Sequence, residues 1–189
     1  MIYEYEMTAE VDNIEKIMSI FKKFNPKLKY SFKRTYQNFY FDTNKQYEKE
    51  AVFMLRKFED NTGQIIYYKD IYIEQMVDHS YVTLYLPTPL AEEFIDIFSQ
   101  SNGHKRTISV TSYTYQRYSE RVDLILHKID CLGDFLTLQR NPTEEERNFI
   151  KEKEIIEMFK DILKELGIKL SRIVTKSFLG LIEEAERGI

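Results

Sequence analysis

Charged residues occur in this sequence inside segments that are otherwise apolar, and their types are those that bind metal ions and phosphate groups. Glu4 and Glu6 stand two residues apart, Arg56 and Lys69 each follow apolar or aromatic residues, and Arg106 opens a further strand-like segment. Residues two apart on a β-strand point to the same face, so the two carboxylates can hold a hard divalent cation together. Arginine and lysine side chains bind phosphate oxygens. This combination predicts a site for a phosphate-rich ligand.

Eight segments rich in tyrosine, phenylalanine, isoleucine, valine and threonine are typical of the β-strands that must position these residues. They cover residues 2–8, 36–42, 51–59, 64–73, 79–86, 105–116, 121–128 and 134–140. Asn61-Thr62-Gly63 predicts a hairpin turn between the third and fourth strands, and Leu132-Gly133 predicts one between the last two. Eight strands in sequential hairpins favour an α+β fold with a closed antiparallel β-barrel, a tunnel with flanking helices. An open α+β sheet is the alternative.

Four helices are expected around these strands. Asp12 caps the first, and a shorter helix follows Pro89. A third begins with a capping box at Thr143 and runs to a stop at Gly167, and a final helix covers residues 177 to about 186.

The charged residues are best explained together. Taken singly, a charged side chain on an antiparallel strand is more typical of a solvated face. Together they indicate strands that are covered on both faces, with the charges lining a polar interior. Such charges must pair with one another or with a ligand, because an unpaired buried charge is very costly. We therefore expect Glu4, Glu6, Arg56, Lys69 and Arg106 to converge on one cavity.

The composition limits the class of protein. No linker, repeat or low-complexity tract interrupts the 189 residues, so we expect one domain over 1–189. The net charge of −4 argues against a protein that coats nucleic acid, although a local basic pocket remains compatible with it. Cys131 is the only cysteine, which excludes an intramolecular disulfide and a cysteine-based zinc site. Without a signal peptide or a membrane-length apolar run, we expect a cytoplasmic protein with no membrane partner.

Short blocks spread in order over nearly the whole chain resemble the CYTH group, the triphosphate tunnel metalloenzymes, which includes class IV adenylyl cyclases and thiamine triphosphatases. The blocks are Glu4-Tyr5-Glu6-Met7-Thr8, Phe39-Tyr40-Phe41-Asp42-Thr43, Leu55-Arg56, Tyr67-Tyr68-Lys69, His104-Lys105-Arg106, Leu132-Gly133-Asp134-Phe135 and Lys176-Ser177-Phe178. The resemblance implies a tunnel with a basic wall for a triphosphate and an acidic wall for Mg²⁺ or Mn²⁺. The implied phosphate-binding residues are Arg56, Lys69, Arg106 and Lys176, and the implied metal ligands are Glu4 and Glu6.

The sequence also departs from the pattern of the group. The opening lysine is Thr8, one of the two arginines of the third strand is missing, and the second acidic pair is replaced at Thr137 and Gln139. His127 stands where an aspartate is usual. Mg²⁺ commonly takes one or two carboxylates plus substrate phosphates and water, so the first-strand pair can still hold one ion. A second ion has no obvious ligands.

Two residues near the lost acidic wall have alternative readings. His127 is either a hydrogen-bonded interior histidine or a general base with a near-neutral pKa. Asp123 shares its face and either replaces a lost acid or lies at a solvated strand end.

Three functional hypotheses follow, and the sequence leaves all three open. The first is a divalent-metal-dependent phosphohydrolase of a small molecule such as inorganic, nucleoside or thiamine triphosphate, or a cyclase of the class IV type. The second is a binding module that retains a phosphorylated ligand without turnover. The third is a structural barrel whose charges pair internally. The catalytic residues and the oligomeric state are not indicated, because the fold alone does not select among these functions.

Overall fold

The computed structural model describes residues 2–23, 28–41, 51–87, 89–117 and 121–187. Its strands are β1 Ile2–Val11, β2 Leu28–Phe41, β3 Ala51–Phe58, β4 Gly63–Ile73, β5 Met76–Leu86, β6 His104–Arg117, β7 Val122–Ile129, β8 Gly133–Arg140 and the short β9 Ile173–Val174. Its helices are α1 Ile14–Lys23, α2 Ala91–Asn102, α3 Glu144–Arg147, α4 Glu152–Glu165 and α5 Phe178–Arg187, with a 3₁₀ turn at Leu170–Arg172.

The first eight strands form a closed antiparallel barrel. Around the barrel the order is β5, β4, β3, β2, β6, β7, β8 and β1, and pairing of β1 with β5 closes it. The predicted barrel is therefore confirmed, but its strands are not all sequential hairpins. Helices α1 and α2 interrupt the chain after β1 and β5, so β1 inserts between β5 and β8, and β2 pairs with β6. Both predicted hairpin turns are present.

The second strand is longer than predicted, because it begins at Leu28 and not at residue 36. Its additional residues pair with β6 from Leu28, opposite Arg117, onwards. Three basic residues in this stretch obscure the alternation of apolar and polar residues that would indicate a strand. Asp42 and Thr43 of the resemblance lie outside the described residues.

Two helical predictions need correction. Asn13, and not Asp12, caps α1, because its Oδ1 accepts a hydrogen bond from the Lys16 N–H at 2.8 Å. The predicted long third helix is two helices, α3 and α4, separated by residues 148–151. The predicted capping box of Thr143 is present at the start of α3. Arg147 ends α3 and donates two hydrogen bonds to Asp78 of β5, at 2.9 and 2.8 Å, which fixes this short helix against the barrel.

Apolar side chains cover the barrel strands on the outside and close part of its interior. Helices α1 and α4 cover outward-facing residues of β1, β7 and β8, including Met7, Leu126 and Leu138. Helix α2 packs on β2 and β3. Leu179 and Ile182 of α5 pack against inward-facing residues at one end of the barrel. The helices thus cover the outer face of part of the barrel, while outward-facing residues of β4 and β5 such as Ile71, Val82 and Leu84 are exposed.

None of the helices in the described ranges is long and apolar enough to cross a membrane.

Candidate functional site

The barrel encloses a cavity of about 550 Å³. Inward-facing residues of the eight barrel strands line it, together with residues 174 and 176–178 that lead into α5. Its volume falls within the range typical of small-molecule sites, roughly 300–1,000 Å³. Because successive side chains of a strand point to opposite faces, every second side chain lines the cavity. These side chains include acidic, basic, neutral polar and aromatic groups.

The acidic side of the cavity is built on β1. Glu4 and Glu6 both point inwards, as their spacing predicts. Glu4 Oε2 accepts hydrogen bonds from Gln139 Nε2 at 2.6 Å and from the Tyr81 hydroxyl at 3.4 Å. Glu6 Oε2 lies 2.9 Å from His79 Nε2. Glu4, Glu6 and His79 offer ligand atoms that lie within 4.8 Å of one another.

His79 bridges two carboxylates, because its Nδ1 lies 2.6 Å from Asp70 Oδ1 while its Nε2 contacts Glu6. Burial alone would lower the pKa of His79, but the charges of Glu6 and Asp70 overcome it and raise the pKa to about 11. The imidazole is then protonated at neutral pH and donates from both nitrogens. His79 consequently has no lone pair to offer to a metal ion.

The two glutamates of β1 differ in their protonation. Burial and the neighbouring Glu6 raise the pKa of Glu4 well above its ordinary value. Burial also acts to raise the pKa of Glu6, but the charge and hydrogen bond of His79 lower it to about 2. At neutral pH Glu6 is therefore ionised, and Glu4 retains a proton more readily than an exposed glutamate does.

The positions that depart from the CYTH pattern form a neutral wall. Thr8 Oγ1 and Thr137 Oγ1 are hydrogen-bonded at 2.8 Å across β1 and β8. These two residues, which both depart from the CYTH pattern, therefore provide each other with a hydrogen-bond partner. Gln139 bonds to Glu4, as described above. His127 is also inward-facing and buried, and burial lowers its pKa to about 4, so its ring is neutral near pH 7.

The structure also bears on the alternative interpretations of His127 and Asp123. The hydrogen-bonded role expected for His127 is not supported at Nδ1, because this buried atom has no hydrogen-bond partner in the part of the chain that the structure describes. Asp123 shares the face of His127, as expected, and of its two alternatives the structure places it at the cavity lining. It does not belong to the cluster that Glu4, Glu6 and His79 form.

Arg56 supplies a positive charge inside the cavity. Its Nε donates a hydrogen bond to Asn38 Oδ1 at 3.0 Å, and its guanidinium lies 4.3 Å from the centre of the Tyr36 ring. Among residues 2–23, 28–41, 51–87, 89–117 and 121–187, no carboxylate forms an ion pair with it. The guanidinium therefore keeps donors available for an anion.

The other predicted basic residues occupy three different environments. Lys176 lines the cavity and pairs with Glu184 of α5. Arg106 lies at the end that α5 covers, pairs with Glu186 at 2.5 Å and does not line the cavity. Lys69 does not line it either, because the adjacent Tyr68 and Asp70 point inwards. The expected convergence thus holds for Glu4, Glu6 and Arg56, and it fails for Lys69 and Arg106.

Sequence reasoning missed three charged residues of the cavity, which are Arg34, Asp70 and His79. Arg34 belongs to the part of β2 that was not predicted as strand, although the alternating Tyr30 and Phe32 before it were a signal. Asp70 was detectable as an acid inside the largely apolar β4. His79 carried no motif, because its role depends on carboxylates from two other strands.

Comparison with known proteins gives matches at the level of structure alone. No family model and no curated protein matches the sequence. A protein from Pyrococcus horikoshii superimposes with a TM-score of 0.75 at 19% identity, covering 94% of this chain and 98% of that chain. A candidate adenylate cyclase from Vibrio parahaemolyticus gives 0.68 at 10% identity, covering 96% of this chain and 98% of that one.

A third solved structure is a candidate adenylyl cyclase from Hippeastrum, for which a dominant triphosphatase activity is described. It superimposes with a TM-score of 0.64 at 13% identity, covering 98% of this chain and 96% of that one. At such identities the similarity establishes a shared fold. The fold that the CYTH resemblance implies is therefore the fold of this chain: a closed eight-stranded antiparallel barrel around a polar cavity, with flanking helices.

Proposed function

We propose that the barrel cavity binds a phosphorylated small molecule, with a triphosphate as the best match to its size and charge. The single observation that carries this proposal is Arg56, a half-buried guanidinium that lines the cavity without a carboxylate partner among the described residues. A partly desolvated cation that is not neutralised internally carries a free-energy cost, and a bound phosphate would offset that cost. The triphosphatase activity described for the Hippeastrum protein of the same fold supports this class of ligand.

Two more cations extend the proposed phosphate site. Arg34 lies at the cavity lining, with its guanidinium 4.7 Å from the Phe32 ring and 5.3 Å from the Phe58 ring. Lys176 lies on the side of the cavity next to α5 and forms an ion pair with Glu184 of that helix. Lys69 and Arg106 are left out of this site, since neither lines the cavity.

A second candidate function is metal-dependent hydrolysis of the same ligand, and the cluster of Glu4, Glu6 and His79 favours it. Because His79 donates to acids from both nitrogens, the ligands for an ion are the two glutamates. Two carboxylates suit one Mg²⁺ or Mn²⁺ completed by phosphate oxygens and water, so the residues present fit a single ion. Such an ion would neutralise charge on the phosphates during hydrolysis.

The chain's own residues would prepare that reaction. Glu6 is held ionised and in place by His79, while Gln139 and Tyr81 orient Glu4. The neutral wall of Thr8, Thr137 and Gln139 supplies no second set of carboxylates, so a second ion is not part of the proposal. Hydrolysis requires less positioning than cyclisation, because water is the nucleophile.

Binding is tested by the change in thermal stability that tripolyphosphate, ATP and thiamine triphosphate cause, each with and without Mg²⁺ or Mn²⁺. Arg56→Ala is expected to weaken binding by at least about tenfold, since it removes a charged hydrogen-bond donor. Lys57→Ala is the matched control, because the adjacent Lys57 pairs with Glu92 of α2 on the outside of the barrel. Equal responses of the two variants, or no response of the native protein to any of these polyanions, would refute the proposed site.

Release of phosphate, measured in the same samples, separates the two candidates. Metal-dependent release that Glu6→Ala abolishes supports the hydrolase. Stabilisation without release, lost in Arg56→Ala, supports a binding module.

A further inference from the structure

His127 is an unusual residue of the cavity, because it is a buried polar side chain without an internal partner. It is 8% exposed, and its Nδ1 makes no hydrogen bond within the described residues. Leaving a buried hydrogen-bonding group unsatisfied costs about 1–3 kcal/mol. Buried polar groups in native proteins are usually hydrogen-bonded, so the unpaired Nδ1 of His127 requires an explanation.

The surroundings of His127 explain why the barrel does not satisfy this ring. Phe178 packs against it with ring centres 5.5 Å apart, and the paired residue on β8 is Phe135. The hydroxyl of Thr137 on β8 is already bonded to Thr8. On β6 the paired residue is Ser112, whose hydroxyl is directed to the Arg34 carbonyl oxygen at 3.5 Å. The neighbouring strands thus offer aromatic rings and hydroxyls that are directed elsewhere.

The ring of His127 faces the cavity that contains the proposed phosphate site. His127 lines the same cavity as Arg56, and the charges of both Glu6 and Arg56 act on it. A phosphate held by Arg56 would lie within the same 550 Å³ enclosure as the imidazole. A neutral imidazole has one N–H donor and one acceptor nitrogen, and a phosphate oxygen accepts from such a donor.

We propose that His127 is a ligand-contacting residue, whose imidazole donates a hydrogen bond to a phosphate oxygen of the molecule bound at Arg56. The inference rests on the phosphate binding proposed above and adds a specific contact to it. The position at which the CYTH group carries an aspartate then serves phosphate recognition through a neutral side chain.

The chain has only three histidines, so ring NMR can test the contact directly. The protein is labelled with ¹⁵N-histidine, and spectra are recorded with and without tripolyphosphate in the presence of Mg²⁺. We expect the ring nitrogen signals of His127 to shift on addition of tripolyphosphate. Those of His104, which is exposed and bonded to Thr107, should stay in place and serve as the internal control.

The variant His127→Leu tests the same contact through its affinity for tripolyphosphate and its melting temperature. His127→Leu keeps a similar volume and removes the unsatisfied Nδ1, so the melting temperature of the free protein should not fall. Its affinity for tripolyphosphate should fall by about tenfold, the value of one hydrogen bond to a charged group. A purely structural role predicts the reverse, with a lower melting temperature and unchanged affinity, and that result would overturn the inference.

The outcomes also separate this inference from the proposed function. Stabilisation by tripolyphosphate that depends on Arg56, with unchanged His127 signals, overturns the contact and leaves the phosphate site in place. Absence of any stabilisation by tripolyphosphate overturns the phosphate site and the contact together.

Discussion

At the scale of single residues, the interior of the barrel is organised by which charges have partners. His79 is held between Glu6 and Asp70, and this arrangement stabilises the imidazolium in a confined space. Arg56 has an amide and an aromatic ring as neighbours, and His127 has an unbonded nitrogen. The His79 bridge stabilises the fold, while Arg56 and His127 are central to the ligand binding that we propose.

The buried His127 makes a testable contribution to stability. Burial lowers its pKa in the folded protein to about 4, below its ordinary value of 6.5. Between these values the unfolded chain binds a proton that the folded chain does not, so this contribution to the free energy of unfolding falls as pH falls. Between about pH 7 and about pH 5 the loss is about 2 kcal/mol.

Urea unfolding at the two pH values measures this contribution. His127→Gln, which cannot titrate, is expected to lose about 2 kcal/mol less than the native protein between about pH 7 and about pH 5. His104→Gln, which removes an exposed histidine in place of the buried one, is the control. Parallel pH profiles for the native protein and His127→Gln would contradict the burial of a neutral ring.

At the scale of elements, α5 determines how one end of the cavity is closed. Leu179 and Ile182 insert among inward-facing residues of β2, β3 and β6, and Lys176 precedes the helix at the cavity lining. Glu184 and Glu186 of α5 pair with Lys176 and Arg106 respectively. The helix therefore supplies the apolar side chains that close the cavity and the two glutamates that form ion pairs with Lys176 and Arg106, two of the predicted phosphate-binding residues.

Ile182→Ala tests the contribution of the plug. Ile182 is 7% exposed, so its truncation should lower the free energy of unfolding by about 3 kcal/mol, as is typical of large-to-small substitutions in a core. Arg187→Ala is the control on the same helix, because its side chain is 67% exposed and its ion pair with Glu183 spans 4.0 Å. That control should change stability by less than about 0.5 kcal/mol. Denaturant unfolding compares the two, and similar effects would mean that α5 does not close the barrel.

At the scale of the whole molecule, the barrel depends on β1. This strand pairs with β5 through residues 2–6, with β8 through residues 5–11 and with β9 at residues 8–9. It also carries the glutamates of the candidate site. Opening the barrel at β1 would therefore disrupt the sheet and the acidic side of the cavity at the same time.

Hydrogen exchange tests this central position of β1. The backbone amides of residues 4–9 should be among the slowest in the protein and should exchange only with global unfolding, because residues 4–6 pair with β5, residues 5–9 with β8 and residues 8–9 also with β9. Amides at the Glu74–Gln75 turn between β4 and β5 provide the fast reference. Peptide-level mass spectrometry gives both rates in one experiment, and rapid exchange in residues 4–9 would contradict a stably closed barrel.

The sequence by itself determined the barrel and part of the site. Alternating segments and turn residues predicted the eight strands, and the two-residue spacing placed Glu4 and Glu6 on one face. Local patterns sufficed there because strand geometry fixes the direction of successive side chains. Arg56 was also predicted correctly as a cavity residue, since it interrupts an apolar strand.

Only the tertiary structure decided the remaining assignments. In β4 apolar and aromatic residues occur on both faces, so the sequence did not show that Lys69 points away from the cavity. The bridge from Glu6 through His79 to Asp70 joins three strands, two of which meet only because β1 closes the barrel against β5. Pairing of Thr8 with Thr137 and isolation of His127 likewise depend on strand order. Contacts between residues far apart in the chain are set by which strands become neighbours, and periodicity within a strand carries no information about that order.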